Sequence, residues 1–196
     1  PKDMAIRALV QKNSIWKKLI IWARAFKIER VINLNKSIII YFSRADENYA
    51  VGFIEKGNTE IIAEYIKELT GADIFKVEPK VPYSKDYQTC VEEAGERQKT
   101  HQAPIVSPVP DLSLYDVIYL GSPVYWGVMP EELVTALKDI DFTGKTIRPF
   151  VTHEGSGLGN IPSQIQEVCH GAQVSRGLAI KGSQVNRAKE QVATWL

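Results

Sequence analysis

Cysteine is scarce in this sequence: Cys90 and Cys169 are the whole supply in 196 residues, and neither belongs to a CxxC pair. That argues against a disulfide framework and reads as two reduced thiols in a cytoplasmic protein. Histidine is as rare, with three residues and none at metal-ligand spacing, so no metal is expected. No apolar run approaches the roughly 18 to 20 residues that cross a bilayer, which argues against a membrane-spanning helix. Nor is there an excess of one charge: 24 Lys and Arg stand against 23 Asp and Glu, and nothing resembles a nucleic-acid-binding module. What is present is ordinary, 44% hydrophobic and 24% charged. A chain of this length suits one domain whose core needs no covalent staples.

The near-neutral total conceals an asymmetry. Residues 1–30 hold eight basic side chains against Asp3 and Glu29, a net +6 that leaves −5 for the remainder. Within residues 14–28, Ile15, Leu19, Trp22 and Phe26 fall on one helical stripe with Ile20 and Ala23 beside it. Lys17, Lys18, Arg24 and Lys27 are the candidates for its polar face. Two readings stand: peripheral contact with a membrane surface or partner, or docking on the chain's own domain or on a second subunit of a homodimer. The chain thus divides into a basic amphipathic helical extension over 1–33 and a domain over 34–196.

From residue 36 onward, short β-rich runs alternate with helical stretches. Ser37–Phe42 is a continuous apolar run, the mark of a parallel strand buried on both faces. Residues 58–70 place Ile61, Ile62, Tyr65, Ile66 and Leu69 on one helical face, and Gly71 supplies a stop. Further strands are expected over Ala72–Val77, Asp116–Gly121, Thr146–Thr152 and Gln173–Ile180. Helices are expected within 84–100 and over Pro130–Asp139, Asn160–His170 and Asn186–Leu196. This alternation predicts a doubly wound α/β domain, a five-stranded parallel sheet with helices on both faces. Ligands of such sheets bind beyond the carboxyl ends of the strands, so the loops after the first, third and fourth strands are the ones to read.

The first of these loops starts at Ser43-Arg44-Ala45 and reaches Gly57-Asn58-Thr59 at a helix N-terminus. Free backbone N–H groups, a hydroxyl and the positive helix end are the parts of a phosphate site, although Asn58 or Thr59 as a plain N-cap fits the same residues. The second, Ser122-Pro123-Val124-Tyr125-Trp126-Gly127, sets two aromatics at the end of a buried strand. They cover either a flat ligand or the helix that follows. The third, Thr152-His153-Glu154-Gly155-Ser156-Gly157-Leu158-Gly159, is rich in glycine and lets backbone amides approach a ring edge. Each is a modest signal, but three at the expected places reinforce one another. GSGLGN at 155–160 fails as a dinucleotide fingerprint, since Asn160 stands where the third glycine belongs and the strand before it is the fourth. Gly144-Lys145-Thr146 fails as a P-loop, because Asp139 replaces the first glycine and a strand follows.

On these residues the chain resembles the flavodoxin superfamily over about 36–196, in the branch with a long first loop. The matching residues are Ser43, Arg44, Ala45, Glu47, Asn48, Tyr49, Gly57, Asn58, Thr59 and Glu60, with SPVYWG at 122–127 and the 152–159 loop. The resemblance implies strand order 2-1-3-4-5 in a three-layer α/β/α domain, and FMN as cofactor. It implies that Ser43, Asn58 and Thr59 bind the phosphate, with Arg44 as a charge partner. Pro123, Val124, Tyr125, Trp126 and Gly127 would border the isoalloxazine and ribityl chain, Trp126 foremost. Thr152, Glu154, Gly155, Ser156 and Gly157 would line the pyrimidine edge. Residues 44–56 interrupt the motif that short-loop flavodoxins carry without a break, so a folded-back loop must meet the phosphate, with room for Tyr49 or Phe53 to cap the flavin.

Three functions fit that implied site. One is a low-potential electron shuttle between redox partner proteins. Another is an NAD(P)H-dependent oxidoreductase acting on quinones or other small acceptors, with His153 as a candidate proton donor and an ordinary strand-end histidine as its alternative. The third is a cofactor-free doubly wound binding module.

Overall fold

The computed structural model describes residues 36–196. The expectations for residues 1–33, including the helix over 14–28, lie outside the described residues. Strand β1 (Ser37–Tyr41) stands inside the sheet, with β4 (Asp73–Lys76) on one side and β5 (Val117–Pro123) on the other. Next to β5 runs β6 (Thr146–His153), followed at the edge by β7 (Gln173–Val174) and β8 (Leu178–Lys181). Every pairing within this sheet is parallel, and the order is the expected 2-1-3-4-5 once β7 and β8 are counted as one position. The single fifth strand expected over Gln173–Ile180 is therefore corrected to two. β7 pairs with Thr146 and Ile147, and β8 with Phe150–His153, while Ser175–Gly177 lies between them. At Gly177, between them, a Cβ would lie 3.0 Å from the Leu158 side chain.

Side chains of β1 alternate between the two layers, as the strand period requires. Ile38, Ile40 and Phe42 enter a core with Ile118, Leu120, Leu133, Ile161 and Ile165. Ile39 and Tyr41 enter the opposite core with Ile62, Ile66, Tyr119, Phe150 and Val192. Helix α1 (Asn58–Thr70) covers the second core together with α5 (Lys189–Trp195). The first is covered by α2 (Tyr87–Thr100), α3 (Glu131–Leu137) and α4 (Ile161–Val168). Leu69, expected on the buried face of α1, is exposed, whereas Ala63 takes a buried place. The terminal helix expected from Asn186 is corrected as well: a 3-10 turn over Gly182–Arg187 precedes α5. Pro130 caps α3 from just outside rather than opening its first turn.

Residues 44–56 are a small hairpin, β2 (Asp46–Asn48) and β3 (Gly52–Ile54), paired antiparallel apart from the main sheet. A two-stranded hairpin is marginal by itself. This one is fastened to the connection before α2. Arg44 donates from Nε and Nη2 to the Ser84 carbonyl at 3.2 and 2.6 Å, and from Nη2 to the Lys85 carbonyl at 3.0 Å. Glu47 Oε2 accepts from the Tyr87 amide at 3.0 Å. Among the described residues, no helix is long and apolar enough to cross a membrane, and no cluster of His, Cys, Asp and Glu is arranged for a metal.

Candidate functional site

A cleft of about 470 Å³ opens at the carboxyl ends of β1, β5 and β6, where all three singled-out loops meet. At one end stands the N-terminus of α1. Gly57 is its N-cap in extended backbone, and no side chain of its own caps it. The expected alternative of Asn58 or Thr59 capping the helix is not what forms. Ser43 Oγ, from the end of β1, accepts instead from the Glu60 amide at 3.1 Å. Gly57 makes that approach feasible, since a Cβ there would lie 2.2 Å from Ser43 Oγ and 2.6 Å from the Arg44 carbonyl. Ser43, Asn58 and Thr59 all reach the cleft wall. Thr59 and Thr152 share a hydrogen bond of 2.7 Å between their hydroxyls, both buried, which ties the helix start to the end of β6. Together with the open first N–H groups of a helix, this end of the cleft suits an anion. Arg44 also reaches the wall, but most of its guanidinium donors serve backbone carbonyls of the hairpin and the 84–85 turn.

The second wall is apolar. Pro123, Val124, Tyr125 and Trp126 line it, and the chain reverses through them in a tight turn. Tyr125 and Val128 exchange both backbone hydrogen bonds, at 2.9 and 3.1 Å, across Trp126 at φ 51° and Gly127 at φ 87°. Positive φ at both central residues defines a type I′ turn, for which glycine is the natural second residue. Tyr125 packs edge-on against Phe42 and Tyr83. Burial pushes its phenol well above the ordinary value, and burial likewise raises the Cys90 thiol, which contacts the Tyr125 hydroxyl at 3.9 Å. Both groups thus stay neutral at physiological pH. Trp126 is 66% exposed, yet its indole is held in place, donating to the Val91 carbonyl at 3.0 Å and lying over Gly95.

The third wall is the loop after β6. Thr152, His153, Glu154, Gly155 and Ser156 line it. Glu154 Oε1 accepts from the Ser183 amide at 3.0 Å and lies beside Asn58 where the chain enters the 3-10 turn. His153 Nδ1 accepts from the amides of Gly155 and Gly157 at 2.9 and 3.1 Å. Burial holds its imidazole below the ordinary value of 6.5, Glu154 opposes this, and Lys181 adds to it.

Of the residues singled out from the sequence, Gly127 and Gly157 do not form part of the wall. Both shape the backbone behind it: Asn160 donates to the Gly127 carbonyl at 2.7 Å, which joins the second loop to the third, and Gly157 donates to His153. Of the two aromatics with room to cap a ligand, Tyr49 lines the cleft and stacks at a tilt on Tyr87, while Phe53 lies away from it and is exposed. The residues missed are Tyr87, Cys90, Val91 and Ala94 of α2, and Asn48 of the hairpin. The four on α2 have the i, i+3, i+4, i+7 spacing of one helical face, a signal present in the sequence within an otherwise polar segment. That helix is anchored from behind by Arg97, which pairs with the fully buried Glu132, lies over the Tyr83 ring at 3.8 Å and donates to the Val81 carbonyl at 2.8 Å.

A family model described as flavodoxin matches residues 48–196. Among solved structures, a candidate flavoprotein from Bacteroides uniformis is 22% identical, with a TM-score of 0.64 over 81% of this chain and 98% of its own. A flavoprotein from Lactobacillus acidophilus, solved in complex with FMN, is 22% identical with a TM-score of 0.57, covering 78% of this chain and 97% of its own. A search of curated proteins found no match. At such identities the structural likeness speaks for the fold alone.

Proposed function

Because the chain belongs to the flavodoxin family, we propose that it binds one FMN non-covalently in this cleft and carries electrons at low potential between protein partners. The observation that carries the reading is the convergence of an anion-binding helix end, an aromatic wall and a glycine-rich loop on one cleft at the switch point of the sheet. Its volume of about 470 Å³ lies in the usual range for a single cofactor site. On this reading Ser43, Asn58 and Thr59 hold the phosphate, and Arg44 adds positive charge while bracing the hairpin beside it. Pro123, Val124, Tyr125 and Trp126 border the ring and ribityl chain, with Tyr49 across from them. Thr152, Glu154, Gly155 and Ser156 face the pyrimidine edge. FMN, when bound, supplies the redox chemistry, and the protein sets its potential through these contacts.

Two features favour a shuttle over an NAD(P)H-dependent oxidoreductase. His153, the imidazole on the cleft wall, is held neutral at physiological pH with Nδ1 engaged by its own loop, and a neutral imidazole is a poor proton donor. The net charge of −5 on residues 31–196 suits docking to basic partners and disfavours added negative charge on a reduced ring. Absorbance spectroscopy with added FMN, followed by anaerobic photoreduction, tests the reading. We expect flavin bands and two resolved one-electron stages. Reduction in a single two-electron stage with rapid bleaching by NAD(P)H would support the oxidoreductase, and a protein that stays colourless would support a cofactor-free module.

A further inference from the structure

His153 ends β6 directly opposite Lys181 of β8, so its backbone is fixed by the sheet while its ring lies on the cleft wall. A neutral imidazole has one acceptor nitrogen and one N–H. Here Nδ1 takes two backbone N–H groups, from Gly155 at 2.9 Å and Gly157 at 3.1 Å, so the proton of the neutral ring belongs on Nε2. The ring therefore draws the turn around itself, and residues 154–156 are the part left facing the cleft. Gly155 at φ 152° and Gly157 at φ 60° are the backbone conformations that allow this wrap.

We propose that His153 is a positioning residue: its neutral ring holds the 154–157 turn in the shape that meets the cofactor, and protonation of the ring releases that turn. A proton on Nδ1 converts the acceptor into a donor, so both glycine N–H groups then face a third N–H. The charged groups beside the ring are Glu154, whose carboxylate is engaged by the Ser183 amide, and Lys181 across the strand pair. Burial of the ring is the main cause that lowers its pKa, Glu154 opposes it and Lys181 adds to it. A ring held below its ordinary 6.5 is neutral through the physiological range, so the hold is complete above that pH and is lost as the solution is acidified below it.

The consequence for the cofactor rests on the FMN reading. The ring's contribution to affinity should be level from pH 8 to near 6.5 and fall on further acidification, toward a limit of about tenfold once the ring is fully protonated, the scale set by two hydrogen bonds of ordinary strength. The phosphate of FMN also titrates, with a second pKa near ~6, so the parent's pH profile is compared with that of His153→Asn. The Asn Oδ1 occupies the branch position of Nδ1, accepts the same two amides and does not titrate. His153→Gln displaces the acceptor by one bond. We expect full-length H153N to match the parent at pH 8 and to lose several-fold less affinity on going to pH 5, and H153Q to bind weakly at both. Parallel pH profiles for parent and H153N would overturn the proposal.

A second readout uses the ¹⁵N-labelled parent without FMN. The Gly155 and Gly157 amide shifts should move together with the ring titration and report an Nε2–H tautomer. Amides that stay fixed while the ring titrates, or an Nδ1–H tautomer, would overturn the proposal without reference to FMN. If no chain binds FMN at pH 8, the cofactor reading fails, and the amide titration alone decides for or against His153's hold on the turn.

Discussion

A methyl group added at Gly57 would sit 2.2 Å from Ser43 Oγ and 2.6 Å from the Arg44 carbonyl, with backbone on one side and a hydrogen-bonded hydroxyl on the other. Neither neighbour can yield without pulling Ser43 away from the Glu60 amide. Gly57→Ala is therefore expected to cost about 1–3 kcal/mol of stability, as over-packing does elsewhere. It should weaken FMN binding as well; urea denaturation and a flavin titration measure the two effects separately. That Gly57 matters could be read from the sequence, because a glycine directly before Asn-Thr at a predicted helix start marks a place where something must come close to the backbone. What comes close could not be read: the constraint is set by Ser43, fourteen positions earlier, and depends on how two loops cross. The stripe of Tyr87, Cys90, Val91 and Ala94 is the opposite case, written plainly in the spacing but diluted by the charged residues around it.

Whole elements show the same division between local and distant causes. Helix α1 runs over Asn58–Thr70 as the apolar period and Gly71 predict, with Gly71 in the left-handed conformation and donating to the Lys67 carbonyl at 2.8 Å. Its signals are local. The β2–β3 hairpin left no such trace, since three-residue strands are too short for an alternation to register, and its support is tertiary. The same holds for the fifth strand, whose two parts pair with separate stretches of β6, a division that no local sequence pattern marks. Because Arg44 supplies most of the hairpin's fastening, Arg44→Ala should loosen residues 46–54 while leaving the main sheet intact. Hydrogen exchange should accelerate selectively in that segment, with FMN affinity falling several-fold as Tyr49 and Asn48 lose their placement. Uniform acceleration across the sheet would show that Arg44 supports the core instead.

At the scale of the whole molecule, the sheet is assembled from partners far apart in sequence. Ser37 stands opposite Val117, and Thr146–Ile147 opposite Gln173–Val174, so β1 and β5 meet only across some eighty intervening residues. Non-local parallel pairing of this kind makes folding slow, because the entropy of closing long loops comes before the contacts that repay it. The cleft is built from the carboxyl ends of β1, β5 and β6, so it does not exist until those strands are in register. A ligand that recognises the finished cleft can hold the native state but has nothing to grip in the transition state. Saturating FMN should therefore slow unfolding of the chain in stopped-flow denaturant jumps in proportion to the ratio of free FMN to its Kd and leave the refolding rate unchanged. In a cell, the cofactor would act as a brake on loss of the folded protein and not as a template for making it, and newly made chains would have to complete the sheet unaided.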